Sequence, residues 1–197
     1  DAAGIAYAQL REMPGEAIAA FLEAYATRID ARSEEIRTSA ARETALPAET
    51  RLVGELARTT GQLRAAASAT RSSAWQMPII DSANNIRSCF APLGPVAVFG
   101  PNNFPLAFGS ISGGDFAAAL AAGNPVIGKA NSMHPGTTRL LAEEAQLAAK
   151  ETGMPAGTVQ LIYRTSHADG EKLARDPRLT AIGYNSSRQS VLVVKKA

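Results

Sequence analysis

From Pro92 to Tyr184, short apolar runs of strand character alternate with helical segments, and that alternation leaves few folds open. Pro95 to Phe99, Pro125 to Lys129, Val159 to Tyr163 and Thr180 to Tyr184 read as strands. Ile111 to Ala122, Thr137 to Thr152 and His167 to Arg175 read as the helices between them, the first of them ended by Gly123. Short strands apolar on both faces, separated by helices of this length, predict a parallel sheet covered on both sides. The expected class is therefore α/β, an open parallel sheet with flanking helices, and ligands belong outside the carboxyl ends of its strands.

What precedes the sheet is helical. Up to about Ala69, apolar residues recur at helical spacing, as in Ile18, Phe21, Leu22, Tyr25 and Ile29. Breaks fall at Met13-Pro14-Gly15, at Asp30 to Ser33 and at Leu46-Pro47. Ser33 is expected to cap a helix whose first turn holds Glu34 and Glu35. The next helix carries a stripe of Val53, Leu56, Thr60, Leu63 and Ala67, too short for a coiled coil and expected to pack inward. Ser68 to Ser88, with Trp75, Pro78 and Asn84-Asn85, is irregular. The predicted organisation is a helical segment over 1–70, a linker or surface excursion over 71–91, and an α/β domain over 92–197 that is cut short. The chain opens without Met, inside an Ala-rich helical stretch, so a fragment is expected.

Composition narrows the function. With 20 Lys and Arg against 18 Asp and Glu, 46% hydrophobic and 19% charged residues, the chain is neither disordered nor a basic nucleic-acid-binding tail. One cysteine, Cys89, and two histidines, His134 and His167, exclude a disulfide scaffold and a zinc module. No apolar run reaches the roughly 18 residues of a membrane span and no leader opens the chain, so a soluble cytoplasmic protein is expected. Cys89 is read as an ordinary thiol.

Three places hold residues suited to chemistry. The first strand runs into Gly100-Pro101-Asn102-Asn103-Phe104-Pro105, where prolines fix the backbone around two side-chain amides. These amides serve either a turn or a preorganised donor to an oxyanion. Lys129 ends the second strand, either solvated or paired with a ribose hydroxyl or phosphate. No acid lies between Lys129 and Gly136, so a 2′-phosphate would be tolerated there. Tyr184-Asn185-Ser186-Ser187-Arg188 ends the fourth strand with hydroxyls and amides that can hold a pyrophosphate. The glycine fingerprint G-x-G-x-x-G is absent.

The runs PLGPVAVFGPNNFPLAF, GGDFAAALAAGNPVIGKANSMHPGTT, GMPAGTVQLIY and DPRLTAIGYNSSR resemble, in order and spacing, the aldehyde dehydrogenase superfamily from about Glu43 to Arg188. The resemblance is strongest to the NADP-dependent branch that includes α-ketoglutaric semialdehyde dehydrogenases. It implies a Rossmann-like coenzyme-binding domain for NADP, with NAD possible, and oxidation of a small aldehyde substrate to its acid. The alternative is a non-catalytic nucleotide-binding or interaction module.

By the resemblance, Asn103 is the oxyanion-stabilising amide, and Phe99, Gly100, Pro101 and Asn102 line the nicotinamide side. Lys129 contacts the adenosine ribose, and Ser132 stands where NAD-preferring members often carry glutamate. His167, three residues before Gly170, or else nearby Arg164, falls near the 2′-phosphate. Tyr184 opens the pyrophosphate turn and Ser187 is its serine, with Ser186 in place of the family's glycine. The nucleophilic cysteine and general-base glutamate have no counterpart up to Ala197, so the chain alone is expected to be inactive. The resemblance further implies a homo-oligomer for the full-length protein. Val191 to Val194 is expected to be either a core strand or an artefact of the chain's boundary.

Overall fold

Residues 1–163, 165–188, 191 and 192 are described by a computed structural model, in which burial decides the helices first. Ile18, Phe21, Leu22, Tyr25 and Ile29 all face inward on α2 (Gly15–Ala31), which follows α1 (Ala2–Leu10). Tyr25 stacks on Phe21 and meets Phe116 edge-on, with centroids 6.3 and 5.8 Å apart, and its hydroxyl donates to the Ile111 carbonyl at 3.1 Å. Burial pushes that phenol well above its ordinary pKa, with Glu144 adding to the effect.

Two local expectations change. Ser33 is the first residue of α3 (Ser33–Thr44) and not its cap; Arg32 takes the cap position at φ −109°, ψ 22°, and no side chain caps the helix. Only Arg32 separates α2 from α3, so the chain lacks the extended residue that a capping serine would provide. Ala45, in the left-handed region at φ 58°, then ends α3 just ahead of Leu46-Pro47. A wide helical turn, Ala48–Leu52, leads into α4 (Val53–Arg71). Val53 is exposed, and the buried stripe begins instead with Leu52 and runs through Glu55, Leu56, Thr59, Thr60, Leu63 and Ala67.

The irregular stretch contains an antiparallel hairpin, β1 (Ile79–Asp81) with β2 (Ile86–Ser88), in which Ile80 pairs with Arg87. Asp81 closes the turn by accepting from the backbone and side-chain N–H groups of Asn84, at 3.1 and 2.8 Å. Ile79, Ile80 and Ile86 remain exposed.

The main sheet comprises β3 (Val96–Phe99), β4 (Val126–Lys129), β5 (Val159–Ile162) and β6 (Ala181–Tyr184), all parallel, in the order β5-β4-β3-β6. The connecting helices are α5 (Gly114–Ala121), α6 (Pro135–Glu151) and α7 (His167–Ala174). α5 starts later than its apolar pattern because Ile111 is consumed in the turn that anchors Tyr25. α6 starts earlier, at Pro135, whose fixed φ suits a first helical turn. One hydrophobic cluster joins α2 and α4 to α5, α6 and the strands β3, β4 and β5. Chain order runs from β3 outward through β4 to β5 and then returns to β6 on the other side of β3. That reversal opens a crevice at the carboxyl ends. Val191 and Leu192 are helical, Val191 N–H donating to the Ser187 carbonyl at 3.0 Å; Val193 and Val194 lie outside the described residues.

Candidate functional site

Strand register brings three of the expected residues to one level, because Phe99 pairs with Lys129 on β4 and with Tyr184 on β6. The Phe99 and Tyr184 rings lie 5.3 Å apart at 45°. Beyond these strand ends the chain lines a cleft of about 710 Å³ with Pro101, Asn102, Asn103, Phe104 and Phe108 after β3, Asn131 and Met133 after β4, and Asn185, Ser186 and Ser187 after β6. Pro101, Asn102, Asn103 and Ser187 are thus gathered in one lining.

The loop after β3 is held from several directions. Gly100 is required by close approach: a Cβ there would lie 2.8 Å from the Ser110 nitrogen and 2.9 Å from the Phe108 oxygen. Its carbonyl accepts from Asn131 Nδ2 at 3.1 Å. His134 is buried, and its Nε2 donates to the Pro101 carbonyl at 2.9 Å, while Nδ1 lies 3.2 Å from Thr138 Oγ1. From the far side, Glu55 Oε1 accepts the N–H groups of Leu106 and Ala107 at 2.8 and 3.0 Å. Arg51 donates to Glu55 Oε2 at 2.6 Å and to the Asn103 carbonyl at 3.4 Å, with its guanidinium 4.2 Å over the Phe104 ring. The Asn103 side chain itself is exposed. Neither Glu55 nor His134 had been assigned a site role from the sequence. The available signal for Glu55 was a carboxylate on the apolar face of α4, between Leu52 and Leu56.

Lys129 is half-buried, and among the described residues no carboxylate pairs with it. Desolvation holds its ammonium below the ordinary lysine pKa. A half-buried cation with no carboxylate partner among the described residues, at the carboxyl end of a parallel strand, suits an anionic or hydroxyl-rich ligand. On the β6 side, the Phe99 carbonyl accepts Asn185 N–H at 3.1 Å, and Asn185 Nδ2 reaches Asp115 Oδ2 at 2.6 Å. Ser186 lies outside the left-handed region, so the serine in place of glycine imposes no backbone strain.

Other expected residues sit apart from the cleft lining. Ser132 is exposed in the turn before α6. His167 opens α7, exposed, and Gly170 lies within that helix, whose first turn is capped by Ser166 Oγ accepting from Asp169 N–H at 3.0 Å. Arg164 lies outside the described residues. Cys89 is exposed after β2 and does not line the cleft. Among the described residues no cluster of ligating side chains suits a metal ion, and no helix is long and apolar enough to cross a membrane.

Comparison with known proteins identifies the family and the fold. A family model described as the aldehyde dehydrogenase family matches residues 1–196. Alpha-ketoglutaric semialdehyde dehydrogenase 2 of Azospirillum brasilense is 42% identical over 193 residues, covering 93% of this chain and 36% of that protein. Alpha-ketoglutaric semialdehyde dehydrogenase of Acinetobacter baylyi is 39% identical over 176 residues, covering 85% of this chain and 33% of its own length. The chain therefore spans about a third of the length of these curated relatives. The crystal structure of glyceraldehyde-3-phosphate dehydrogenase GapN from Methanocaldococcus jannaschii shares the fold, with a TM-score of 0.86 over 100% of this chain and 42% of that one, at 21% identity.

Proposed function

The chain belongs to the aldehyde dehydrogenase family, and from that membership we propose that it is the amino-terminal and coenzyme-binding part of an NADP-dependent enzyme that oxidises an aldehyde to a carboxylic acid, NAD being the alternative coenzyme. The observation that carries this reading is the common level of Phe99, Lys129 and Tyr184 at the strand ends, with Asn103 and Ser187 together in the cleft just beyond. In this reading Lys129 holds the adenosine ribose and a 2′-phosphate, whose charge offsets the hydration that its ammonium loses on burial. Ser132 leaves that phosphate unopposed by an acid. His167, beside Gly170, lends a second basic group from α7. Tyr184 and Ser187 frame the pyrophosphate turn, while Phe99, Gly100, Pro101 and Asn102 flank the nicotinamide.

When bound, the nicotinamide accepts the hydride. This chain's own contribution to the chemistry is Asn103, whose side-chain amide donates to the oxyanion that develops when a thiolate adds to the aldehyde carbonyl. The thiolate, and the carboxylate that activates water for release of the acid, come from sequence outside these 197 residues. The likeness to the two α-ketoglutaric semialdehyde dehydrogenases supports a short aldehyde that itself carries a carboxylate as substrate. A cytoplasmic homo-oligomer completes the reading, its subunit association supported by the exposed apolar side chains Ile79, Ile80, Ile86, Phe90 and Leu93 around the hairpin.

Calorimetric titration of the chain with NADP and with NAD tests the coenzyme assignment. Saturable binding of NADP, tighter than that of NAD and weakened by Lys129→Met, is expected. No heat with either coenzyme would overturn it.

A further inference from the structure

We infer that Glu55 is a positioning residue for Asn103, holding the oxyanion-binding loop in place through Arg51 and two backbone N–H groups; this rests on the role proposed above for Asn103. Glu55 is 3% exposed, and its carboxylate is wholly committed to this loop and to Arg51. Oε1 takes both amides that follow Pro105, and Oε2 takes the guanidinium that reaches back to the Asn103 carbonyl and covers Phe104. One carboxylate therefore fixes residues on both sides of Pro105, with Asn103 between that anchor and the Pro101 carbonyl held by His134.

A buried carboxylate is a costly way to satisfy two backbone amides, which water or a neutral side chain could serve if only stability were at stake. What a charged acceptor adds is shorter, stiffer bonds and a fixed guanidinium. Stiffness matters here because the Asn103 side chain is exposed and has no hydrogen-bonded partner of its own among the described residues, so only its backbone aims the amide. A donor to a transition-state oxyanion acts by being in place before the charge develops, and a loop free to shift would lose that advantage.

The test is a double-mutant cycle in the full-length protein that carries this segment. The first-turnover rate of NADPH formation and the coenzyme Kd are read together. Glu55→Gln keeps an oxygen for the two amides but turns the other arm away from Arg51. It is expected to slow the first turnover about tenfold and to leave the coenzyme Kd within about twofold, while Asn103→Ala slows it about a hundredfold or more, the range seen when an oxyanion donor is removed. The combined variant is expected to be no more than about twofold slower than Asn103→Ala alone, since a loop without its amide has nothing left to aim.

A combined loss equal to the product of the single losses, or an unchanged rate in Glu55→Gln, would overturn the inference while leaving the role of Asn103 intact. An unchanged rate in Asn103→Ala would instead remove the role of Asn103, and this inference with it. Arg51→Met, which spares both amide bonds to Glu55, carries the same cycle if Glu55→Gln does not fold; a non-additive loss with Asn103→Ala supports the inference and an additive one overturns it.

Discussion

At Lys129 the burial of one side chain bears most directly on the proposed coenzyme binding. Its ammonium sits half-buried at the end of β4 without a carboxylate partner among the described residues, and desolvation lowers its pKa. The unfolded chain therefore binds more protons than the folded one between that lowered pKa and the ordinary lysine value, and the unliganded protein gains stability as pH rises through this window. A bound phosphate reverses the preference, because it stabilises the protonated amine. NADP affinity is accordingly expected to fall as pH rises through the lowered pKa, and Lys129→Met is expected to flatten that dependence. Loss of a charge-assisted bond is worth about 1.5–3 kcal/mol, or roughly 10- to 150-fold in Kd at neutral pH. Fluorescence titrations at several pH values check both points; a Lys129→Met protein with the parental pH profile would dismiss Lys129 as the phosphate partner. This lysine was legible from sequence because a charge at the end of an apolar run marks the strand's carboxyl edge. Glu55 was not, since the loop amides it holds lie 51 and 52 residues away and periodicity shows only that it shares a face with Leu52 and Leu56.

The elements are tied together by a second buried carboxylate, Glu144 on α6, which is 3% exposed and accepts from Arg28 of α2 at 2.7 Å and from Arg32, between α2 and α3, at 2.5 Å. Removing one partner of such a pair usually costs about 3–5 kcal/mol, and the partial exposure of both arginines brings the expected cost of Glu144→Ala down to about 2–3 kcal/mol. For a chain of this size that corresponds to a fall in Tm of roughly 5–10 °C. Calorimetry would show it, and a shift under 2 °C would mean that solvent already carries these charges. Gly100→Ala acts on a different joint, pressing a methyl against the Ser110 and Phe108 backbone. It is expected to destabilise by about 1–3 kcal/mol and to weaken coenzyme binding as well, because the displaced loop lines the cleft. Elements buried on both faces, β3 and β4 above all, were legible as uninterrupted apolar runs. The hairpin over Ile79 to Ser88 was not, because its three-residue strands are too short to show alternation and its isoleucines stay exposed. The start of α5 differs for a related reason: Ile111 is apolar because its side chain is buried against Gly128 of β4, in a turn ahead of the helix whose backbone carbonyl receives Tyr25.

At the scale of the molecule, binding and turnover separate. The cleft gathers loops from β3, β4 and β6, and those strands share one hydrogen-bonded sheet whose β3 and β4 join the helical core. On the proposed reading, coenzyme affinity therefore depends on groups that these 197 residues hold in place themselves. Aldehyde oxidation as proposed also demands a thiolate beside Asn103, and the only cysteine in the sequence is Cys89. That thiol is exposed on the segment after β2 and is absent from the cleft lining, so it cannot add to a carbonyl held by Asn103. The isolated chain is thus expected to bind NADP yet to produce no aldehyde-dependent NADPH above a heat-killed control. Alkylation of Cys89 is expected to leave the coenzyme Kd within about twofold, since a reactive thiol contributes to binding only where it touches the ligand. Turnover by the isolated chain that disappeared on alkylation would place Cys89 at the chemistry and reverse the division of labour argued for Asn103. Coenzyme binding lost on alkylation would place the hairpin, and not the carboxyl edge of the main sheet, at the binding surface.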